Sequence, residues 1–328
     1  MDASLYQSIL DTARVVSIPL RTKFRGVTER EALIFEGPNG FTEWAPFTEY
    51  EDEEAASWLA AAIEFGWGSL PTLHRDQIGI NATLAAVTPD QIEKALKPFG
   101  VFRTVKIKVA QSGETLAQDL ARVLEVPRLY PAARLRLDAN GGYSIEQALE
   151  LARLLTENEI ELDYLEQPCA TIGELAELRH RIKEVNANYK IAADESVRRV
   201  SDPLAVAHAQ AADILVLKAA PLGGINRALE VAREAGLPVV VSSALDTSVG
   251  ISMGLHLAGA LDQLEFDCGL GTAAMLIGDV TREPLIAENG YLSVKRVSVD
   301  AARLETFRAE DHRTDWWLER LERCARLL

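Results

Sequence analysis

The rhythm of hydrophobic and polar positions changes once along the chain, near residue 79. Before it, short β-branched runs at 15–20 and 31–35 precede the turn Gly37-Pro38-Asn39-Gly40, and helical spacing covers about 53–65. This predicts a small α+β unit over 1–78. From 79 onward a short apolar or β-branched run is followed, again and again, by an amphipathic stretch of about 10 to 15 residues. Strands are expected at 80–86, 104–110, 134–140, 162–168, 190–196, 212–218, 237–245 and 264–269. Between them lie helices such as 144–158, with Ser144 as N-cap and Ile145, Leu149, Ala152 and Leu155 on one face. Asp202-Pro203 marks a helix start and Gly236-Leu237-Pro238 a helix stop.

Eight strands separated by helices predict a parallel barrel over 79–279; an open doubly wound sheet more often has fewer strands and a glycine-rich first turn. Neither G-x-G-x-x-G nor G-x-x-x-x-G-K-[ST] occurs, so no nucleotide-cradling loop is expected. The alternation is lost over 280–328, where a charged amphipathic helix at 313–328, carrying Trp316 and Trp317, is expected to pack back on the first unit.

The 328 residues are 48% apolar, enough for an ordinary core, and carry 34 basic against 49 acidic side chains, a net charge of −15. That balance repels phosphate backbones and anionic lipid, which argues against nucleic-acid and membrane partners. The most apolar run, 237–245, is too short to span a bilayer, and the start MDASLYQSIL lacks a basic segment followed by a long apolar one. A soluble, cytoplasmic protein is expected. Cys169, Cys268 and Cys324 are odd in number and far apart, suggesting neither a disulfide framework nor a zinc site.

A barrel interior should be apolar, so charges at the carboxyl ends of strands, the face where such barrels build active sites, call for an explanation. Five successive predicted strands carry them: Lys106 and Lys108 in VKIKVA, Asp138 in RLDAN, Glu166 in LEQP, Asp194 in ADES and Lys218 in LVLK. Each lies about one βα unit after the last, so all can converge on one mouth. Three carboxylates there would repel one another unless a cation neutralises them, and an all-oxygen set favours Mg²⁺ first and Mn²⁺ second. Lys106 and Lys108 share a strand face, and a lysine beside a metal in a low-dielectric barrel has its pKa pushed down, as a general base requires. Together these groups suit proton abstraction next to a carboxylate, with charge stabilisation of the resulting enediolate. Taken singly, each is equally at home as a solvated or salt-bridged loop residue, and Asp138-Ala-Asn140-Gly141-Gly142 can be read as a turn. Glu195, next to Asp194, is expected on the opposite strand face, in a supporting role.

The set VKIKVA, RLDANGGYS, LEQP, ADES and ILVLKAAPLGGI resembles the enolase superfamily, in particular its muconate lactonizing enzyme subgroup. The resemblance covers almost the whole chain and implies a (β/α)7β modified TIM barrel with an α+β capping domain. Within the subgroup, the short length, the segment RGVTEREALIFEGPNGFTEWAPF and the pair Ser242-Ser243 are most similar to the o-succinylbenzoate synthase family of the actinobacterial type. That family converts the dicarboxylate 2-succinyl-6-hydroxy-2,4-cyclohexadiene-1-carboxylate to 2-succinylbenzoate and water in menaquinone biosynthesis. The resemblance implies that Asp138, Glu166 and Asp194 bind Mg²⁺, that Lys108 removes the α proton and returns it to the departing hydroxyl, and that Lys218 faces the ring by a cation-π contact. Lys106 would donate to the substrate carboxylate. Arg136 and Asn140 match positions near the metal and barrel floor, and Ser242, Ser243 and Gly269 the side that receives the succinyl arm; all five are expected to contact substrate. The two serines are as readily explained by hydrogen bonds to loop backbone. Residues 17–26, with Arg21, Lys23 and Arg25, would form a loop closing over substrate.

The same two lysines also serve a racemase or epimerase of this subgroup, such as an N-succinylamino acid racemase. A barrel that binds a carboxylate without catalysis is the remaining alternative.

Overall fold

The computed structural model describes residues 1–24, 26–198 and 202–328. The chain begins with helix α1 (Ala3–Thr12), continues through strands β1 (Arg14–Phe24), β2 (Val27–Gly37) and β3 (Gly40–Trp44), and enters helix α2 (Asp52–Trp67). The strands form an antiparallel sheet, and Gly37 pairs with Gly40 across the expected turn. In β1, Val16, Ile18 and Leu20 are buried while Pro19 and Arg21 face out. That alternation carries the strand to Phe24, which is buried. Most of the loop expected at 17–26 is therefore strand: β1 pairs with β2 as far as Pro19 and again at Phe24, the register is irregular between them, and Leu20 bridges to Leu276. Arg25 lies outside the described residues.

The barrel follows, after the short strand β4 (Gln77–Gly79). Its elements run β5 (Ala82–Leu84), α3 (Ile92–Leu96), β6 (Thr104–Lys108), α4 (Leu116–Leu129), β7 (Arg134–Asp138), α5 (Ile145–Glu157), β8 (Tyr164–Glu166), α6 (Ile172–Arg181) and β9 (Ile191–Ala193). They continue with α7 (Glu195–Arg198), α8 (Ala205–His208), β10 (Ile214–Leu217), α9 (Ala219–Leu222), α10 (Ile225–Ala235), β11 (Val239–Val241) and α11 (Ser248–Ala260). Among the described residues, β5 to β11 form a seven-stranded parallel sheet in sequence order. The expected eighth strand closes it with single bridges instead of a ladder: Cys268 pairs with Ile80 on one side and Gly269 with Ser242 on the other. Thr115, Ser144 and Thr171 each cap a barrel helix in a reciprocal capping box, starting α4, α5 and α6 directly after the loops at the mouth.

Inside the barrel, Tyr164, Ala192, Ile214, Val216 and Val240 form an apolar cluster. The β5–β7 side departs from the apolar expectation with buried Asn81, Lys106 and Arg136.

The chain returns through β12 (Tyr291–Ser293), which pairs with β4, and α12 (Ala301–Thr306) to α13 (Asp311–Ala325). Trp317 of α13 is fully buried against Trp44 in the cap, ring centroids 5.2 Å apart, and its Nε1 donates to Glu31. Two cap acid side chains also dock on barrel helices at their N-termini, where the first backbone N–H groups lack partners within the helix. Glu64 accepts from the backbone of Ile225 and Asn226 at the start of α10. Glu43 accepts from Thr247 and Gly250 at the start of α11. Arg30 of the cap donates to the Leu245 carbonyl. These contacts seat the cap over the carboxyl ends of the strands. No described helix is long and apolar enough to cross a membrane.

Candidate active site at the carboxyl ends of the barrel strands

Parallel register lines up the charged residues. Lys108 pairs with Asp138, Asp138 with Glu166, and Glu166 with Ala192, so Asp194 sits two residues further along its own strand direction, just past β9. Lys218 follows β10 immediately. Lys108 and Lys218 are four strands apart in the sheet order, which in an eight-segment barrel places them on opposite walls.

The six side chains are buried and arranged in ion pairs. Lys106 Nζ lies 3.0 Å from Asp138 Oδ2 and 3.0 Å from Glu166 Oε1. Lys108 Nζ donates to Asp138 Oδ2 and Asn140 Oδ1, both at 2.6 Å, and Lys218 Nζ to Asp194 Oδ2 at 2.5 Å. Burial opposes the charge of Lys106, but Asp138 and Glu166 outweigh it and hold the ammonium well above its usual range. Burial likewise opposes ionisation of Asp138, and Lys106 and Lys108 overcome it, keeping that carboxyl well below the normal carboxylate range. Glu166 is different: burial, and next the Asp138 charge, push it up to about 7.

Lys106, Lys108, Asp138, Asp194 and Lys218 line a cavity of about 40 Å³, with Glu166 buried beneath it, and Asn140, Ser242, Ser243 and Gly269 line it too, so the structure brings four of the five expected substrate-side residues to the mouth. Ser243 Oγ donates to the Gly269 carbonyl at 2.8 Å and lies 2.8 Å from Thr272 Oγ1, so the hydroxyl does satisfy loop backbone while facing the cavity. A Cβ on Gly269 would stand 2.5 Å from Ser242 Oγ, which is why this close approach needs glycine.

Two expectations change. Arg136 does not line the cavity: two residues before Asp138 on β7, it is fully buried in the barrel floor, donating from Nε to Asp163 and from Nη1 to Asn81 and the Asp267 carbonyl. Glu195 does face the cavity, and its Oε1 accepts from Asn140 Nδ2 at 3.2 Å. Strand alternation does not apply to it, because β9 ends at Ala193 and Glu195 opens α7. Sequence reasoning missed Phe24, Thr83, Ala244, Leu245 and Thr272 in the lining. Phe24, whose ring centroid is 5.3 Å from Lys108 Nζ, was concealed in a basic run, and the others carry no signal beyond position at a strand end or loop.

The donor set suits a divalent cation. Three carboxylates stand on adjacent strands, and the upward push on Glu166 by Asp138 is the repulsion such an ion relieves. Among the described residues no three acid, imidazole or thiol groups are already gathered as a ligand cluster. The lysine ammoniums satisfy the carboxylate oxygens instead.

A barrel whose strand ends carry Lys-x-Lys, three successive acids and an opposing lysine, under an α+β cap, defines an enolase-type enzyme. Residues 15–66 match the enolase N-terminal domain-like family and residues 88–298 the enolase C-terminal domain-like family. Solved structures agree in fold: muconate lactonizing enzyme from Pseudomonas putida superposes with a TM-score of 0.73 at 21% identity, covering 90% of this chain and 98% of that one. The Pseudomonas fluorescens enzyme complexed with muconolactone gives 0.76 at 21% identity over 91% and 98%. Closer in sequence is the o-succinylbenzoate synthase of Mycobacterium ulcerans, 49% identical over 98% of this chain and 95% of its own length. That of Mycobacterium tuberculosis is 47% identical over 98% and 96%. The chain belongs to the o-succinylbenzoate synthase family of the enolase superfamily, whose enzymes generally use a divalent metal.

Proposed function

We propose that the chain catalyses the Mg²⁺-dependent syn dehydration of 2-succinyl-6-hydroxy-2,4-cyclohexadiene-1-carboxylate to 2-succinylbenzoate and water, a step of menaquinone biosynthesis. The observation that carries this reading is the opposed pair Lys108 and Lys218, flanking three buried carboxylates at one barrel mouth. Asp138, Glu166 and Asp194 are the residues that would hold the cation, with Mn²⁺ as a possible substitute. When bound, it supplies positive charge beside the substrate carboxylate and so eases loss of the α proton.

Lys108, as the free amine, takes that proton from the carbon bearing the carboxylate. The C–H electrons move onto the carboxylate as an enediolate; they then return to form the ring double bond as the C–O bond to the hydroxyl breaks, and Lys108 gives its proton to the departing oxygen, releasing water from the same face. Asn140 Oδ1 orients the Lys108 amine through the bond described above. Lys218 stays an ammonium and holds the planar enediolate from the other face by a cation-π contact. Lys106 donates to the substrate carboxylate, while Ser242, Ser243 and Gly269 form the wall that receives the succinyl arm.

The test is an ultraviolet assay for the aromatic product from the cyclohexadiene acid, with and without Mg²⁺. Metal-dependent product formation is expected. Rapid α-proton exchange and racemisation of an N-succinyl amino acid in D₂O, with no dehydration of the cyclohexadiene acid, would replace this reading with a racemase.

A further inference from the structure

Behind Lys108, on the side away from the cavity, lies a buried polar cluster that plays no part in the chemistry above. Arg122 of α4 donates from Nη1 to the Lys108 carbonyl at 2.9 Å and from Nε to the Val87 carbonyl at 2.7 Å. The same Nη1 reaches Asp119 Oδ1 at 3.0 Å, and Nη2 reaches the Glu114 carboxylate at 2.7 Å. Asp119 Oδ2 in turn accepts from the Ala110 backbone N–H at 3.0 Å and from the Tyr143 hydroxyl at 2.5 Å. Asp119, Arg122 and Tyr143 are all buried.

The cluster acts where the chain leaves the sheet. Ala110, two residues after Lys108, has φ +59°, a left-handed conformation uncommon outside glycine. Its N–H is held by Asp119, and a Cβ on Gly142, next to Tyr143, would stand 2.6 Å from its carbonyl oxygen. One carboxylate and one guanidinium therefore tie together the end of β6 bearing Lys108, residue 87 beyond β5, and the β7–α5 loop bearing Asn140, the partner of the Lys108 amine.

We infer that Asp119, Arg122 and Tyr143 are positioning residues for the reaction, setting the height and direction of Lys108 relative to the substrate α carbon through the backbone of residues 108–110. The inference rests on the proposed role of Lys108 as base. Misplacement of a base by even a fraction of an ångström is felt in the transition state more than in substrate binding, whereas a purely structural cluster would show itself in melting temperature.

The experiment is steady-state kinetics of Tyr143→Phe, which removes a single hydroxyl, beside Arg122→Lys, which keeps the charge but loses the planar fork. Arg128→Ala, on the exposed face of the same helix, is the control. Dehydration of the cyclohexadiene acid and α-proton exchange of an N-succinyl amino acid in D₂O are both followed, since Lys108 is the base in the first and one of the two acid–base lysines in the second. For Tyr143→Phe, kcat is expected to fall about tenfold with KM within about twofold of wild type, and Arg122→Lys is expected to lose more. Arg128→Ala should keep the wild-type kcat. A Tyr143→Phe variant with unchanged kcat and a lowered melting temperature overturns the positioning role alone. A wild-type protein inactive in both assays overturns the proposed function, and the role of Lys108 with it.

Discussion

Lys108 Nζ lies 2.6 Å from Asp138 Oδ2, so the proposed base is held by a proposed metal ligand. Lys106 bridges Asp138 and Glu166 in the same way, and Lys218 holds Asp194. A divalent cation held by Asp138, Glu166 and Asp194 would therefore compete with the lysine ammoniums for these carboxylates.

Metal dependence follows directly. Chelation is expected to abolish turnover and added Mg²⁺ to restore it. Asp194→Asn should weaken cation binding by at least about tenfold in titration calorimetry, with slower turnover. An unchanged Mg²⁺ dependence of the rate would remove Asp194 from the ligand set.

Lys218→Arg keeps the positive charge but replaces a compact ammonium with a broad planar group in a cavity of about 40 Å³. A loss of roughly a hundredfold in kcat is expected. A wild-type rate would rule out close packing of the Lys218 ammonium on the ring.

Glu43 links pH to stability. Burial, and next the Asp246 carboxylate, push it up to about 8, against the opposing effects of Thr247, Arg30 and the Gly250 N–H. A carboxyl whose folded pKa exceeds its unfolded value near 4.3 binds more protons folded than unfolded between those limits. Its contribution to stability is therefore fully present below about pH 4 and is lost as pH rises toward 8, by at most about 1.4 kcal/mol per pH unit. Glu43→Gln should flatten this slope and be the more stable form at pH 8, as measured by urea denaturation at pH 5, 6.5 and 8. Equal slopes in both proteins would contradict the upward shift.

Trp317→Ala should cost about 3–5 kcal/mol, because it empties a fully buried site against Trp44 and removes the bond to Glu31. Chemical denaturation reads the change. A loss below about 1 kcal/mol would mean that α13 contributes little to holding the cap.

Much of this molecule was legible along the chain. The barrel alternation, the Ser144 N-cap and the turn at Gly37 to Gly40 depend on periodicity and local hydrogen bonding. The five charged strand ends were readable because each βα unit returns the chain to the same face. Other features depend on what packs where. Phe24 reaches Lys108 because pairing to β2 extends β1 beyond its apolar run, and Glu195 turns to the mouth because β9 stops two residues earlier.

Arg136 and Arg122 make the contrast plainest. Both are buried arginines near the charged strand ends, and neither lines the cavity. Sequence alone determined which residue types recur at the strand ends, since spacing is a property of the chain. Only the tertiary structure decided which of those charges face the mouth and which are spent in the floor or behind Lys108. That depends on hydrogen bonds between residues as far apart as Arg136 and Asp267, and chain spacing cannot encode them.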